Sequence, residues 1–152
     1  MGIDKKNIGN KYGPTTYEVG AEKLREFAYA VAGGVPSMGF TGTGAPQGLL
    51  PVLHQGRELV GFPTFCNVFA IAPFGQAVTD PKLGINLLML VHGEQEYEFF
   101  EPIRPGDVIT STGEITDIFE KQAKDFVTVV TESKNQHGKL VVRGRWLAVI
   151  RH

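Results

Sequence analysis

The sequence holds one cysteine in 152 residues, Cys66, so no intrachain disulfide is available and a reducing compartment is the expected setting. Neither that cysteine nor the four histidines fall into the paired spacing of a zinc site, so no metal and no cofactor are expected. Charge of one sign is also missing. The formal net charge is -1 and lysines and arginines are scattered, which leaves counterion release at a phosphate backbone little to act on; nucleic acid is not an expected partner. No apolar run reaches the ~20 residues of a membrane span. The first ten residues, Met-Gly-Ile-Asp-Lys-Lys-Asn-Ile-Gly-Asn, lack the apolar core of a signal peptide, so a cytoplasmic protein without membrane contact is expected. Met1-Gly2 resembles the start of a myristoylation signal, but Lys6 stands where that signal needs Ser or Thr.

What is present is ordinary globular material, 42% hydrophobic and 20% charged, and the length suits one core, so residues 1–152 are expected to form a single domain. Residues 1–16 read as a polar arm leading into a short extended piece at 17–19. From Ala21 to Ala32, Leu24, Phe27, Ala28 and Val31 recur at helical spacing opposite Glu22, Lys23, Arg25 and Glu26, and Gly33-Gly34 ends that helix. Residues 33–51 then carry six glycines and three prolines, a loop of a length often used for binding. A second helix is expected over 63–72, with Pro63 in its first turn, Thr64 as a possible cap, a buried stripe of Phe65, Val68, Phe69 and Ala72, and Pro73 as its end or kink.

The last third is rich in β-branched residues and aromatics. In Leu-Val-His-Gly-Glu-Gln-Glu-Tyr-Glu-Phe, at 90–99, Gln95, Tyr97 and Phe99 share one face and Glu96 and Glu98 the other, as in a half-buried strand. Arg104-Pro105-Gly106-Asp107 supplies a tight reversal into the next strand, with Asp107 as a turn residue bonding nearby amides. Strands are expected over 94–101, 108–119, 125–133 and 140–150 as a meander, the last two joined through Asn135-Gln136-His137-Gly138. One face of the last strand carries Leu140, Val142, Trp146, Ala148 and Ile150. The other is half apolar with Arg143, Arg145 and Arg151, and suits a subunit contact. One long helix and an antiparallel sheet make an α+β arrangement.

The run at 90–99, then Pro-Ile-Arg-Pro-Gly-Asp at 102–107 and Gly-Glu-Ile-Thr-Asp-Ile-Phe-Glu-Lys at 113–121, resembles the N-terminal dehydratase domain of the MaoC-like family. Tyr17-Glu-Val-Gly, the Phe27-Ala-Tyr-Ala helix, Phe62-Pro-Thr-Phe and Val149-Ile-Arg extend the likeness over nearly the whole chain. It implies a hot-dog fold, a twisted antiparallel sheet wrapped around a long helix, and work on acyl thioesters carried by coenzyme A or acyl carrier protein. Active members carry Asp-x-Asn-Pro-x-His after the helix, where Asp and His hold water and move the proton. Here that place reads Gly33-Gly34-Val35-Pro36-Ser37-Met38: glycine for the aspartate, valine for the asparagine, methionine for the histidine. The resemblance therefore implies a subunit of a hydratase or dehydratase that is not catalytic alone. It would shape the acyl channel beside a sister subunit, as a homodimer or as a heterodimer with a catalytic hot dog.

Individual residues admit two readings each. His92 and Glu94 can form an acid–base pair, in a homodimeric hydratase or a thioesterase, or serve structure alone. Glu94, Glu96 and Glu98 are an acidic cluster or one solvated strand face. Gly33 and Gly34 with Phe62, Phe65 and Phe69 line an acyl tunnel, or the phenylalanines are ordinary core. Cys66, with no adjacent charge to lower its pKa, reads as a small buried residue. Arg143 and Arg145 meet coenzyme A phosphates or only solvent, and His54 and His137 fall in loops. An acyl-binding or assembly module is a further alternative. A single hot dog leaves an edge strand bare, so an oligomer is expected.

Overall fold

The structure, a computed structural model, describes residues 2–31, 54–55 and 58–152. A 3-10 turn at Lys5–Asn7 precedes β1 (Lys11–Glu18) and α1 (Ala21–Val31). Two short strands, β2 (His54–Gln55) and β3 (Glu58–Leu59), pair with each other. A 3-10 turn at Pro63–Cys66 runs into α2 (Asn67–Val78), and another at Leu87–Met89 leads into β4 (Leu90–Phe99). Three long strands follow: β5 (Val108–Glu120), β6 (Lys124–Lys134) and β7 (Leu140–Arg151). The main sheet is antiparallel throughout, with the order β1-β5-β6-β7-β4.

The strands from β5 onward lie where the alternation of apolar and polar residues puts them. Ile109, Ile115, Ile118, Val127, Val129, Val142, Trp146, Ala148 and Ile150 are all buried. Gly138 closes the β6–β7 hairpin with φ of 73°, and Asn135 Oδ1 accepts from the His137 and Lys139 amides. The β5–β6 hairpin turns through Gln122 and Ala123, both at φ of 53°, and matches the twist of its strands at some steric cost.

The expected meander fails at one place. The turn at 104–107 does not fold β4 back onto β5; β4 pairs with β7 at one edge and β5 lies beside β1 near the other. The turn itself forms as read, with Gly106 at φ of 84° and the Arg104 amide donating to Asp107 Oδ2 at 2.8 Å. Its backbone docks onto the end of β1 instead, through Gly106 N–H to Val19 O and Val19 N–H to Asp107 O, both 2.8 Å. A local turn signal fixes a reversal, not the strand that receives it. The polar arm is likewise corrected: Lys11–Glu18 is an edge strand, whose half-exposed pattern carries no long apolar alternation to reveal it.

The helix that the sheet closes on is α2, not α1. Phe65, Phe69, Pro73 and Ala77 form one buried row and Cys66, Ala70, Phe74 and Val78 the next, two adjacent rows at a spacing of four that give a broad apolar face. From α1, Leu24 and Ala28 are buried, and Phe27 meets Phe65 edge-on at 5.4 Å. Val68 is exposed, because it falls outside both rows, and Ala72 is half-buried. Thr64 does not cap the helix: it lies within the 3-10 turn, whose cap position Phe62 holds without a side-chain bond and whose first residue, Pro63, has no N–H to satisfy, while Cys66 holds the cap position of α2, also without a side-chain bond. Pro73 does not stop it either. The helix runs on to Val78, giving up one internal hydrogen bond, and buries the proline against the sheet where β5 has Gly113.

Trp146 lies at the centre of this contact, fully buried, stacked on Phe74 of α2 at 5.2 Å, with its indole N–H donating to Thr131 Oγ1 at 2.9 Å. The result is a twisted antiparallel sheet around one helix, the hot-dog arrangement. Two substitutions test the packing. Trp146→Ala removes a buried ring and leaves Thr131 without its partner, so urea unfolding should show a loss of about 3–5 kcal/mol. A Cβ on Gly113 would come within 2.9 Å of Pro73 Cβ. Gly113→Ala should therefore cost about 1–3 kcal/mol in the same assay, with α2 forced off the sheet. A loss under a few tenths in either variant would contradict the assigned contact.

Candidate functional site

Edge strand β4 and the start of α2 form an aromatic wall. The His92 ring stacks on Trp146 at 5.6 Å and lies 5.5 Å from Phe74, while Tyr97 meets Trp146 edge-on at 5.7 Å and Phe99 at 5.9 Å. The register explains the row: His92, Gln95, Tyr97 and Phe99 oppose Ala148, Trp146, Gly144 and Val142, the helix-facing residues of β7. Gly144 leaves room for this, since a Cβ there would lie 2.7 Å from the indole nitrogen and 3.2 Å from the Tyr97 ring.

Three polar groups stand behind the rings. Tyr97 O–H donates to Asn67 Oδ1 at 2.9 Å, where the 3-10 turn gives way to α2. Beneath it is Cys66, fully buried. Burial pushes its thiol up to about 12, with a hydrogen bond to Tyr97 pulling slightly the other way. Burial also raises the Tyr97 phenol, and the neighbouring thiol raises it further. Both groups stay protonated at neutral pH, so Tyr97 is a hydrogen-bonding group here and Cys66 is not a thiolate nucleophile. Asn67 and the ring stack carry no motif; the one hint of Asn67 in the sequence is an amide side chain next to an apolar helical run.

The two candidate acid–base residues are separated by a bulge. The register with β7 shifts between His92 and Glu94, so His92 opposes Ala148 on the helix side and Glu94 opposes Leu147 on the outer side. Gly93 is the inserted residue, and a Cβ there would meet Val149 Cγ2 at 2.7 Å. Glu94 pairs with Arg145 at 3.8 Å, and among the described residues no hydrogen bond or ion pair joins His92 to a carboxylate. Glu98 is held by Arg143 at 3.1 Å, which also bonds Glu132 Oε1 at 2.9 Å and covers the Phe100 ring. Both arginines are thus occupied on the outer face.

Of the proposed tunnel residues, Phe65 and Phe69 are buried among Tyr17, Phe27 and each other. Phe62 is half-buried before α2, and Gly33 and Gly34 lie outside the described residues. Among the described residues, no three of histidine, cysteine, aspartate and glutamate converge as a metal site requires. No helix among them is long and apolar enough to cross a membrane.

Comparison with known proteins agrees with this architecture. The UPF0336 protein of Streptomyces avermitilis is 36% identical over 143 residues, spanning 93% of this chain and 91% of that protein. A chain of the C-terminally truncated HadBC (3R-hydroxyacyl-ACP dehydratase) complex from Mycobacterium tuberculosis superposes with a TM-score of 0.68 at 22% identity, covering 98% of this chain and 99% of that one. The R-hydratase PhaJ1 from Pseudomonas aeruginosa gives a TM-score of 0.63 at 19% identity, over 95% and 82% of the two chains. At those identities the structural likeness speaks for the fold. The sequence over residues 6–143 matches the family described as FAS1-like, dehydratase domain region, and the chain belongs to that family of hot-dog dehydratase-like proteins.

Proposed function

We propose that this chain is the non-catalytic half of an acyl-thioester hydratase or dehydratase, and that it forms one wall of the acyl channel beside a sister hot-dog subunit that supplies Asp and His. The observation that carries the reading is the replacement of the family's Asp-x-Asn-Pro-x-His by Gly33-Gly34-Val35-Pro36-Ser37-Met38. Addition of water to an enoyl thioester needs a base to take a proton from water and an acid to return one at the neighbouring carbon. His92 has no carboxylate partner among the described residues, and Glu94 is on the other face of the sheet.

What the chain does offer is apolar surface and neutral polar groups. The rings of Phe74, His92, Tyr97 and Phe99 suit an acyl chain, and Asn67 and Tyr97 suit a carbonyl or hydroxyl near the thioester. The likeness to a chain of the two-component 3R-hydroxyacyl-ACP dehydratase complex supports pairing with an unlike subunit, and leaves acyl carrier protein and coenzyme A both open as carriers.

Purified alone, the chain should hydrate crotonyl-CoA and longer enoyl-CoA thioesters at no more than background, since each missing acid or base group is worth ~10²–10⁴-fold. Mixed or co-expressed with a hot-dog subunit bearing the intact motif, it should raise that subunit's activity, as followed by loss of enoyl absorbance. Robust hydration by the chain alone, abolished by His92→Ala, would overturn the reading in favour of a self-sufficient hydratase.

A further inference from the structure

The two edges of the sheet are treated differently. β1 is blunted: Pro14 has no N–H to offer, the register breaks between Tyr12 and Thr15, and the Gly13 N–H is taken by Gln76 Oε1 at 2.8 Å. At the other edge β4 runs for ten residues without proline, and among the described residues no strand lies on its far side. The approach to it is apolar, with Leu87 53%, Leu88 93% and Met89 36% exposed just before the strand and Val91 41% exposed within it. An open ladder flanked by exposed leucines is an edge built to be covered.

Its charge is of one sign. Glu94, Glu96 and Glu98 stand on the face away from α2, and β4 contains no lysine or arginine. Arg145 and Arg143 reach Glu94 and Glu98 from the neighbouring strand, while Glu96 has no ion pair among the described residues. A second copy meets a problem of parity. When two copies of β4 pair antiparallel to continue one sheet, outward residues must oppose outward residues. In the centred register Glu96 meets its own copy and Glu94 meets Glu98. Sliding by two residues sets Glu94 against Glu96, or Glu96 against Glu98. Each such register places like charges directly opposite, which destabilises a strand pair.

We infer that β4 is an interaction edge that takes a partner strand carrying lysine or arginine on its outward face, and that its glutamates reject a second copy of this chain. The inference rests on the reading of the chain as one half of a two-component assembly, and adds how the other half is chosen. The attractive element is the open backbone ladder with its leucines; the repulsive element, which specificity between similar folds requires, is the row of carboxylates.

A charge-reversed copy of the chain serves as the basic-edged probe. Glu94→Lys/Glu96→Lys/Glu98→Lys protein, carrying a mass tag, is mixed with the unaltered chain and read by native mass spectrometry and sedimentation velocity. The mixed dimer should form at least about tenfold more tightly than either homodimer, as a few opposed charge pairs permit. The advantage should shrink between about 50 and about 500 mM salt. Circular dichroism checks that the probe folds; if it does not, the neutral Glu94→Gln/Glu96→Gln/Glu98→Gln chain decides, and it should self-associate more tightly than the unaltered chain. A tight, salt-insensitive homodimer of the unaltered chain, no preference for the mixed dimer with a folded probe, or no gain on neutralisation overturns the inference. No thioester is present in this assay, so its failure leaves the acyl-channel reading standing, and failure to enhance a catalytic subunit leaves the edge assignment standing.

Discussion

The contact of the Trp146 indole with the elements around it holds helix, sheet and candidate site in register. It stacks on Phe74 of α2, takes the edge of Tyr97 and the face of His92 from β4, and donates to Thr131 on β6. Three elements therefore share one side chain from β7. The hole it fills is made by its own strand, because Gly144 has no Cβ to press on the indole or on Thr131 Oγ1. A large ring opposite a missing one is how a tightly packed interior accommodates a bulky group without strain. Gly113 serves the same purpose on β5, letting Pro73 sit directly on the sheet.

How much of this was legible in the sequence follows from the range of each interaction. The strands from Val108 onward could be read because each alternates over ten or more residues and ends in a turn with its own chemistry. The turn at Gly106-Asp107 was legible as a turn for the same reason, but its receiving strand was not: the choice between β4 and β1 depends on partners about ninety residues apart. The sequence pattern ends the helix at Ala72, six residues short of Val78, because Pro73 is a local stop signal that sheet packing overrides. Period-two alternation places Trp146 on the correct face, whereas which of the two helices it meets is not encoded locally. α1 has the cleaner polar and apolar division, as a helix on the outside should; α2, buried on a broad face, shows less contrast.

The bulge at Gly93 has the largest consequence for chemistry. In a regular strand His92 and Glu94 would lie on one face, two residues apart, and their pairing would be plausible from sequence alone. One inserted residue inverts the parity, sending the imidazole to the rings and the carboxylate to Arg145. The segment most suggestive of catalysis in the sequence is thereby divided between two faces of a sheet. Bulges are recognised by glycine within an alternating run, but whether such a glycine is inserted or paired depends on the neighbouring strand.

The groups left on the helix side share a direction. Cys66 and Tyr97 are both held in their neutral forms, chiefly by burial, and the Tyr97 hydroxyl donates to Asn67, which has no charge at any pH. A surface that runs a proton transfer needs groups whose pKa values straddle the working pH, pushed apart by their surroundings. Here burial pushes Cys66 and Tyr97 in the same direction, away from neutrality. On the proposed reading such a wall aligns an acyl thioester by contact, and the burial of Cys66 and Tyr97 keeps those two groups from exchanging a proton near neutral pH. A division of labour between two hot dogs has, on that reading, a physical basis: a neutral, largely apolar wall and a charged acid–base pair make opposite demands on their surroundings, and two chains can meet both.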